Sequence, residues 1–162
     1  MSYYSPMLAR FVRGLLHNFD NSEAFTFHID LNRITDLLLE TDMQMMRKKL
    51  EGVEDLWFGG TNISASLTSF NQHYLDDVAN RNTVVLLISD GCDVSLEDEI
   101  VAPVRELRQK VRKVFWINPI EARLQRAGLK SSSPLMHASA YIDEIVSGDS
   151  LHSLERLARL LG

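Results

Sequence analysis

Thr83-Val84-Val85-Leu86-Leu87-Ile88-Ser89-Asp90-Gly91-Cys92-Asp93 decides the fold, because an unbroken apolar run stops there at a carboxylate, a glycine and a second carboxylate. A run of β-branched and aliphatic residues this short, closed by glycine, specifies a fully buried strand of a parallel sheet rather than a helix. Open α/β sheets bind ligands just beyond the carboxyl ends of such strands, where Asp90 and Asp93 fall. Asp90 is therefore the first candidate for chemistry. An Asp-Gly step at a strand end can equally cap a helix or turn the chain, and that reading stays open beside the functional one.

Upstream of this strand stands Trp57-Phe58-Gly59-Gly60-Thr61-Asn62, followed by a helix with Ile63, Leu67, Phe70 and Tyr74 on one face. Gly59 and Gly60 leave a backbone able to approach a ligand closely; a plain glycine turn with Thr61 or Asn62 as helix cap is the other reading. Residues Asp42 to Leu50 form a helix whose methionines 43, 45 and 46 fit core packing better than a soft-metal site. Before it, Glu23 to Ile29 alternates as a strand with Phe25, Phe27 and Ile29 on one face. The connection Asp30 to Arg33 leads into an edge strand around Arg33 to Thr35 or straight into a helix, the hairpin being the preferred reading. Ser5-Pro6 opens a first helix, with Met7, Leu8, Phe11, Val12, Leu15, Leu16 and Phe19 in one apolar stripe.

Downstream, Ser95 caps a helix that buries Ile100, Val104, Leu107 and Val111. Lys113 to Ile117 is a short strand stopped by Asn118-Pro119. A helix fragment from Glu121 runs into the loop Gly128 to Pro134, read as the most mobile piece of the chain. Tyr141 to Val146 is a last strand, and Ser150 to Leu161 a last helix burying Leu151, Leu154, Leu157 and Leu161. Strands alternating with helices in this way specify an α/β fold: a doubly wound, mainly parallel sheet flanked by helices, in one domain over residues 1–162.

Composition narrows the function. A hydrophobic fraction of 45% with 24% charged residues belongs to a globular chain. The net charge of -5 argues against nucleic-acid or anionic-membrane partners, which select basic patches. The single cysteine, Cys92, can form no internal disulfide, and no apolar run is long enough to span a bilayer, so a cytoplasmic location is the expectation. The five histidines show no metal-ligand spacing, which speaks against zinc. A hard cation is better suited: the Thr61 hydroxyl and the Asp90 carboxylate, on loops at one sheet edge, are oxygen donors of the type Mg²⁺ takes. A thiol beside two carboxylates has its thiolate disfavoured, so Cys92 is an ordinary loop residue. No glycine-rich nucleotide loop is present.

Phe11-Val12-Arg13-Gly14-Leu15, Trp57-x-Gly59-Gly60-Thr61-x-Ile63, Ser89-Asp90-Gly91-x-Asp93 and Trp116-Ile117-Asn118-Pro119, in that order, together resemble a von Willebrand factor A (VWA) domain of the CoxE-like group. The resemblance implies a metal-ion-dependent adhesion site, in which Mg²⁺ keeps one coordination position for an acidic residue of a partner protein. Thr61 and Asp90 match two of its three ligand loops; Gly59, Gly60, Gly91 and Asp93 would support them. The third loop, D-x-S-x-S, should precede the first helix, yet this chain begins Met1-Ser2-Tyr3-Tyr4. The implied site is partial, and the first central strand of the sheet is missing with it.

The resemblance further implies a non-enzymatic, protein-binding domain that acts with a MoxR-type AAA+ ATPase in metalloenzyme maturation. Two alternatives stand beside it: a metal-independent scaffold, including a homo-oligomer, and a metal-assisted hydrolase using Asp90 and Asp93. Removing a central strand would leave two rows of unpaired backbone groups at about 1 to 3 kcal/mol apiece, against a whole-domain stability of about 5 to 15 kcal/mol. The flanking strands would then pair directly, receive a strand from another chain, or belong with a strand encoded upstream.

Overall fold

The computed structural model describes residues 5–27, 30–40, 62–91, 96, 98–128 and 133–161. The helix Asp42 to Leu50, the loop containing Gly59, Gly60 and Thr61, the residues Cys92, Asp93 and Ser95, and most of the loop read as mobile lie outside them.

The apolar run forms β3 (Val84–Ile88), followed by α5 (Val101–Lys110), β4 (Lys113–Asn118), α6 (Glu121–Arg126), β5 (Glu144–Ser147) and α7 (Leu151–Leu161). β3, β4 and β5 lie in that order in one parallel sheet, with Val84 beside Lys113 and Phe115 beside Glu144. This is the expected α/β architecture, except that β3, expected to be fully buried, buries only Leu87, since it stands at the end of the strand order and no strand among the described residues pairs with its second edge. β4 is its central strand, and from Val114 to Asn118 every residue is buried. Side chains alternate across the sheet. Val114 and Trp116 join Val85, Leu87 and Ile145 on one face, against Ile63 and Leu67 of α3 (Ile63–His73, followed by the short α4, Leu75–Val78) and Val104 and Leu107 of α5. Phe115 and Ile117 join Val84, Leu86, Ile88 and Val146 on the other, against Leu8 of α1 (Ser5–Asn18) and Leu154 and Leu157 of α7. Helices thus cover both faces, as a doubly wound sheet requires. No helix among the described residues is long and apolar enough to cross a membrane.

The hairpin is present but shorter than its sequence suggests. β1 (Phe25–Phe27) pairs antiparallel with β2 (Leu31–Arg33), and α2 (Thr35–Leu39) starts where an edge strand was expected. The reason is a contact made across the hairpin: buried Thr35 accepts the Ala24 amide through Oγ1 at 2.9 Å and donates to the Glu23 carboxylate, which also takes the Arg33 guanidinium. That knot closes the hairpin two residues earlier. Phe25 packs edge-on to Phe70 of α3 at 5.2 Å and to Tyr74 at 5.0 Å, so α3 carries the hairpin as well as the sheet.

Three further expectations are corrected. Leu151 is 66% exposed, since burial of α7 begins one turn later at Leu154. Phe19, expected in the stripe of α1, lies past the end of the helix and is 39% exposed. Tyr141 closes a short 3₁₀ turn, Ser139–Tyr141, rather than opening β5.

Direct pairing of β1 with β3 is not realised: β1 pairs with β2 and β3 with β4, as two separate sheets. The Thr83 carbonyl accepts the Arg112 amide at 2.8 Å, and the Ser89 amide donates to the Ile117 carbonyl at 3.1 Å. In a parallel ladder that parity aims the backbone of 83, 85, 87 and 89 at β4, and the N–H and C=O groups of Val84, Leu86 and Ile88 away from it. No strand pairs with that second edge among the described residues.

Amide exchange in the 162-residue chain is therefore expected to alternate along β3, with Val84, Leu86 and Ile88 exchanging at least about tenfold faster than Val85 and Leu87. Uniform slow exchange would mean that a further strand occupies the edge. The Arg33 guanidinium and Thr35 hydroxyl hold the Glu23 carboxyl below its usual range, burial opposing them in part. A depressed carboxyl stabilises the fold above its unfolded value, and that contribution is lost as pH falls through the folded value. The urea-midpoint difference between wild type and Glu23→Gln should accordingly shrink on acidification below the usual glutamate range; a constant difference would contradict the assignment.

Candidate functional site

The carboxyl ends of β3, β4 and β5 each run into polar residues. β3 ends in Ser89, 4% exposed, then half-buried Asp90 and buried Gly91. The Ser89 hydroxyl accepts the Gly91 amide at 3.0 Å, which folds the chain back sharply around Asp90. Gly91 sits at φ +81°, a left-handed conformation that side chains rarely adopt. A Cβ there would lie 2.5 Å from the Cβ of Ser133 and 3.1 Å from Cζ2 of Trp116, so glycine is needed for space as well as for angle.

The neighbouring strand ends are equally tied. Asn118, fully buried, accepts the Ile120 amide through Oδ1 at 3.1 Å and donates through Nδ2 to Glu121 at 3.1 Å. Its carbonyl takes the Gly148 amide at 3.0 Å, and the Ser147 hydroxyl donates to the Asp149 carboxylate at 2.6 Å.

Asn62, the residue after Thr61, caps α3 by accepting the Ala65 amide at 2.8 Å. That settles one open reading: the helix cap is Asn62. The Ser64 hydroxyl donates to the Glu99 carbonyl at 2.9 Å, which joins the start of α3 to the segment following the Asp90 turn. Of the expected site residues, Asp90 and Gly91 are placed; Thr61, Gly59, Gly60 and Asp93 lie outside the described residues.

As a ligand for the implied Mg²⁺, the Asp90 carboxylate is the right hard oxygen donor. Among the described residues no group of three or more His, Cys, Asp or Glu could hold a metal. The described residues thus offer that one carboxylate and no cluster that would hold an ion by itself.

Sequence reasoning named Trp116 only in a motif that carries the resemblance, not as a residue of the site, and did not single out Ser133. The Trp116 indole Nε1 donates to the Ser89 carbonyl at 2.9 Å, and Ser133 packs against the Gly91 Cα. A tryptophan in a buried strand was itself the available signal, because its N–H must find an acceptor.

No curated protein and no solved structure shows significant similarity to the chain. The family model for VWA domain containing CoxE-like proteins matches residues 1–154, nearly the whole sequence, and the chain therefore belongs to the CoxE-like VWA family.

Proposed function

We propose that this domain is a non-enzymatic protein-binding module, in which Asp90 and Thr61 form a partial metal-ion-dependent adhesion site at the carboxyl end of the sheet. The observation that carries the reading is the placement of Asp90: a half-buried carboxylate on a turn whose two flanking residues are both buried. Such a turn is already ordered before binding, which lowers the ordering cost. Mg²⁺, when bound, would supply a coordination position open to a partner's carboxylate. The chain's own contribution is the fixed turn, with Gly91 allowing its close return and Asn62 capping the facing helix. Membership in the CoxE-like family supports a MoxR-type AAA+ ATPase as the partner and metalloenzyme maturation as the setting.

With one carboxylate and one hydroxyl as protein ligands, affinity for Mn²⁺ or Mg²⁺ should be no tighter than about 0.1 mM by calorimetry. Tight binding abolished by Asp90→Ala would show that the site is complete. Binding of a MoxR-type ATPase from the same genome should weaken at least about tenfold in Asp90→Ala, corresponding to about 1.4 kcal/mol, and comparably in excess EDTA. Unchanged affinity in EDTA would favour a metal-independent scaffold. Turnover of simple phosphoesters, lost in Asp90→Asn, would instead make the domain a hydrolase.

A further inference from the structure

The two residues flanking Asp90 are held from opposite sides by segments distant in sequence. On the amino side, the Ser89 carbonyl is the last acceptor of the β3 edge that faces β4. In the parallel register, with Ile88 beside Ile117, the next donor due to it is the amide of residue 119. Residue 119 is proline and has no N–H. The indole of fully buried Trp116 fills that vacancy, with Nε1 2.9 Å from the Ser89 oxygen. On the carboxyl side, Gly91 lies against Ser133, a buried residue whose hydroxyl accepts the Leu135 amide at 3.2 Å and whose carbonyl accepts the Met136 amide at 2.9 Å. Ser133 thereby opens the 3₁₀ turn Pro134–Met136. Trp116 touches both sides, since its Cζ2 is the third neighbour of the position a Gly91 Cβ would take.

We infer that Trp116 and Ser133 are the positioning residues of Asp90, setting the direction of its carboxylate and joining the Asp90 turn to the Ser133–Met136 turn as one unit. The inference rests on the reading of Asp90 as the binding residue. Its physical basis is that a buried carbonyl without a donor is unfavourable, so the Asp90 turn keeps its shape only while the indole N–H is in place. Because Gly91 has no side chain to yield, a shift of Ser133 is transmitted to the Asp90 turn directly. An effector or partner that displaces the 133–136 turn would in this way redirect Asp90.

The test compares wild type with Trp116→Phe, which keeps an aromatic ring and removes the donor, and with Leu107→Ala, a control in the core beneath α5. Two readouts are taken: exchange of the Gly91 amide without metal, and Mn²⁺ affinity by electron paramagnetic resonance. In Trp116→Phe the Gly91 amide is expected to exchange at least about tenfold faster and Mn²⁺ to bind at least about fivefold more weakly, with β4 and β5 amides still protected. Leu107→Ala should lower the thermal midpoint and leave Mn²⁺ affinity unchanged. Unaltered Gly91 exchange in Trp116→Phe would overturn the inference.

If Trp116→Phe fails to fold, Gly91→Ala decides: crowding at Ser133 should shift the Trp116 indole N–H resonance, assigned in a Trp57→Phe background. An unmoved resonance would overturn the inference. Should wild type and Asp90→Ala bind Mn²⁺ equally poorly, the cation reading of Asp90 falls, while the exchange result still decides the positioning on its own.

Discussion

β4 is the member on which the rest of the molecule depends, since it is paired along both edges and covered on both faces. Burial of that completeness is tolerable only when each backbone group has a partner. The strand meets the condition at its ends by side-chain substitution. At its start, the Val114 amide donates to the Asp143 carboxylate at 2.8 Å, and Arg108 holds that carboxylate from α5 at 3.0 Å. At its finish, Pro119 ends the run of donors and Trp116 supplies the missing one to Ser89. The terminus of β3, and with it the Asp90 turn, is thus shaped by the side chain of the neighbouring strand.

The β1–β2 hairpin stands apart from this sheet, joined to it through α3 rather than through backbone pairing. One face of α3 meets the sheet with Ile63 and Leu67 and the hairpin with Phe70. Its polar side meets α5, where the Asn71 amide donates to the Pro103 carbonyl at 2.9 Å. A single helix therefore joins the hairpin, the sheet and, through Ser64 and Glu99, the segment after the Asp90 turn.

Much of the fold was legible because apolar period and burial coincide in its central part. Ile100, Val104, Leu107, Val111 and Phe115 to Ile117 all fall where alternation or helical spacing puts them, whereas the run Val84 to Ile88, expected to be fully buried, buries only Leu87. Legibility failed at the margins, where one long-range contact overrides a local pattern. Thr35 enters a helix because Glu23 and Ala24 engage it, and nothing within the local window 31–39 announces that. Leu151 continues the leucine spacing of α7 past the surface that the helix packs on. In the site, the Asp-Gly turn was readable from its composition. The partners that shape it, Trp116 and Ser133, lie 26 and 43 residues beyond Asp90 in the sequence, too far for spacing to connect them. Asp90 itself is a half-buried loop carboxylate between buried neighbours, an arrangement that suits recognition better than packing.

The account stands on the carboxyl end of β3 being where the domain binds. Mn²⁺-induced line broadening across the amide resonances of the whole protein tests this most directly, because it locates even a weakly held ion. Broadening strongest at Asp90 and Gly91, fading through Ser133 and Ile63 and sparing the amino ends of β4 and β5, is the predicted result. Broadening centred on another acidic stretch such as Asp76-Asp77, or none at millimolar Mn²⁺, would contradict it.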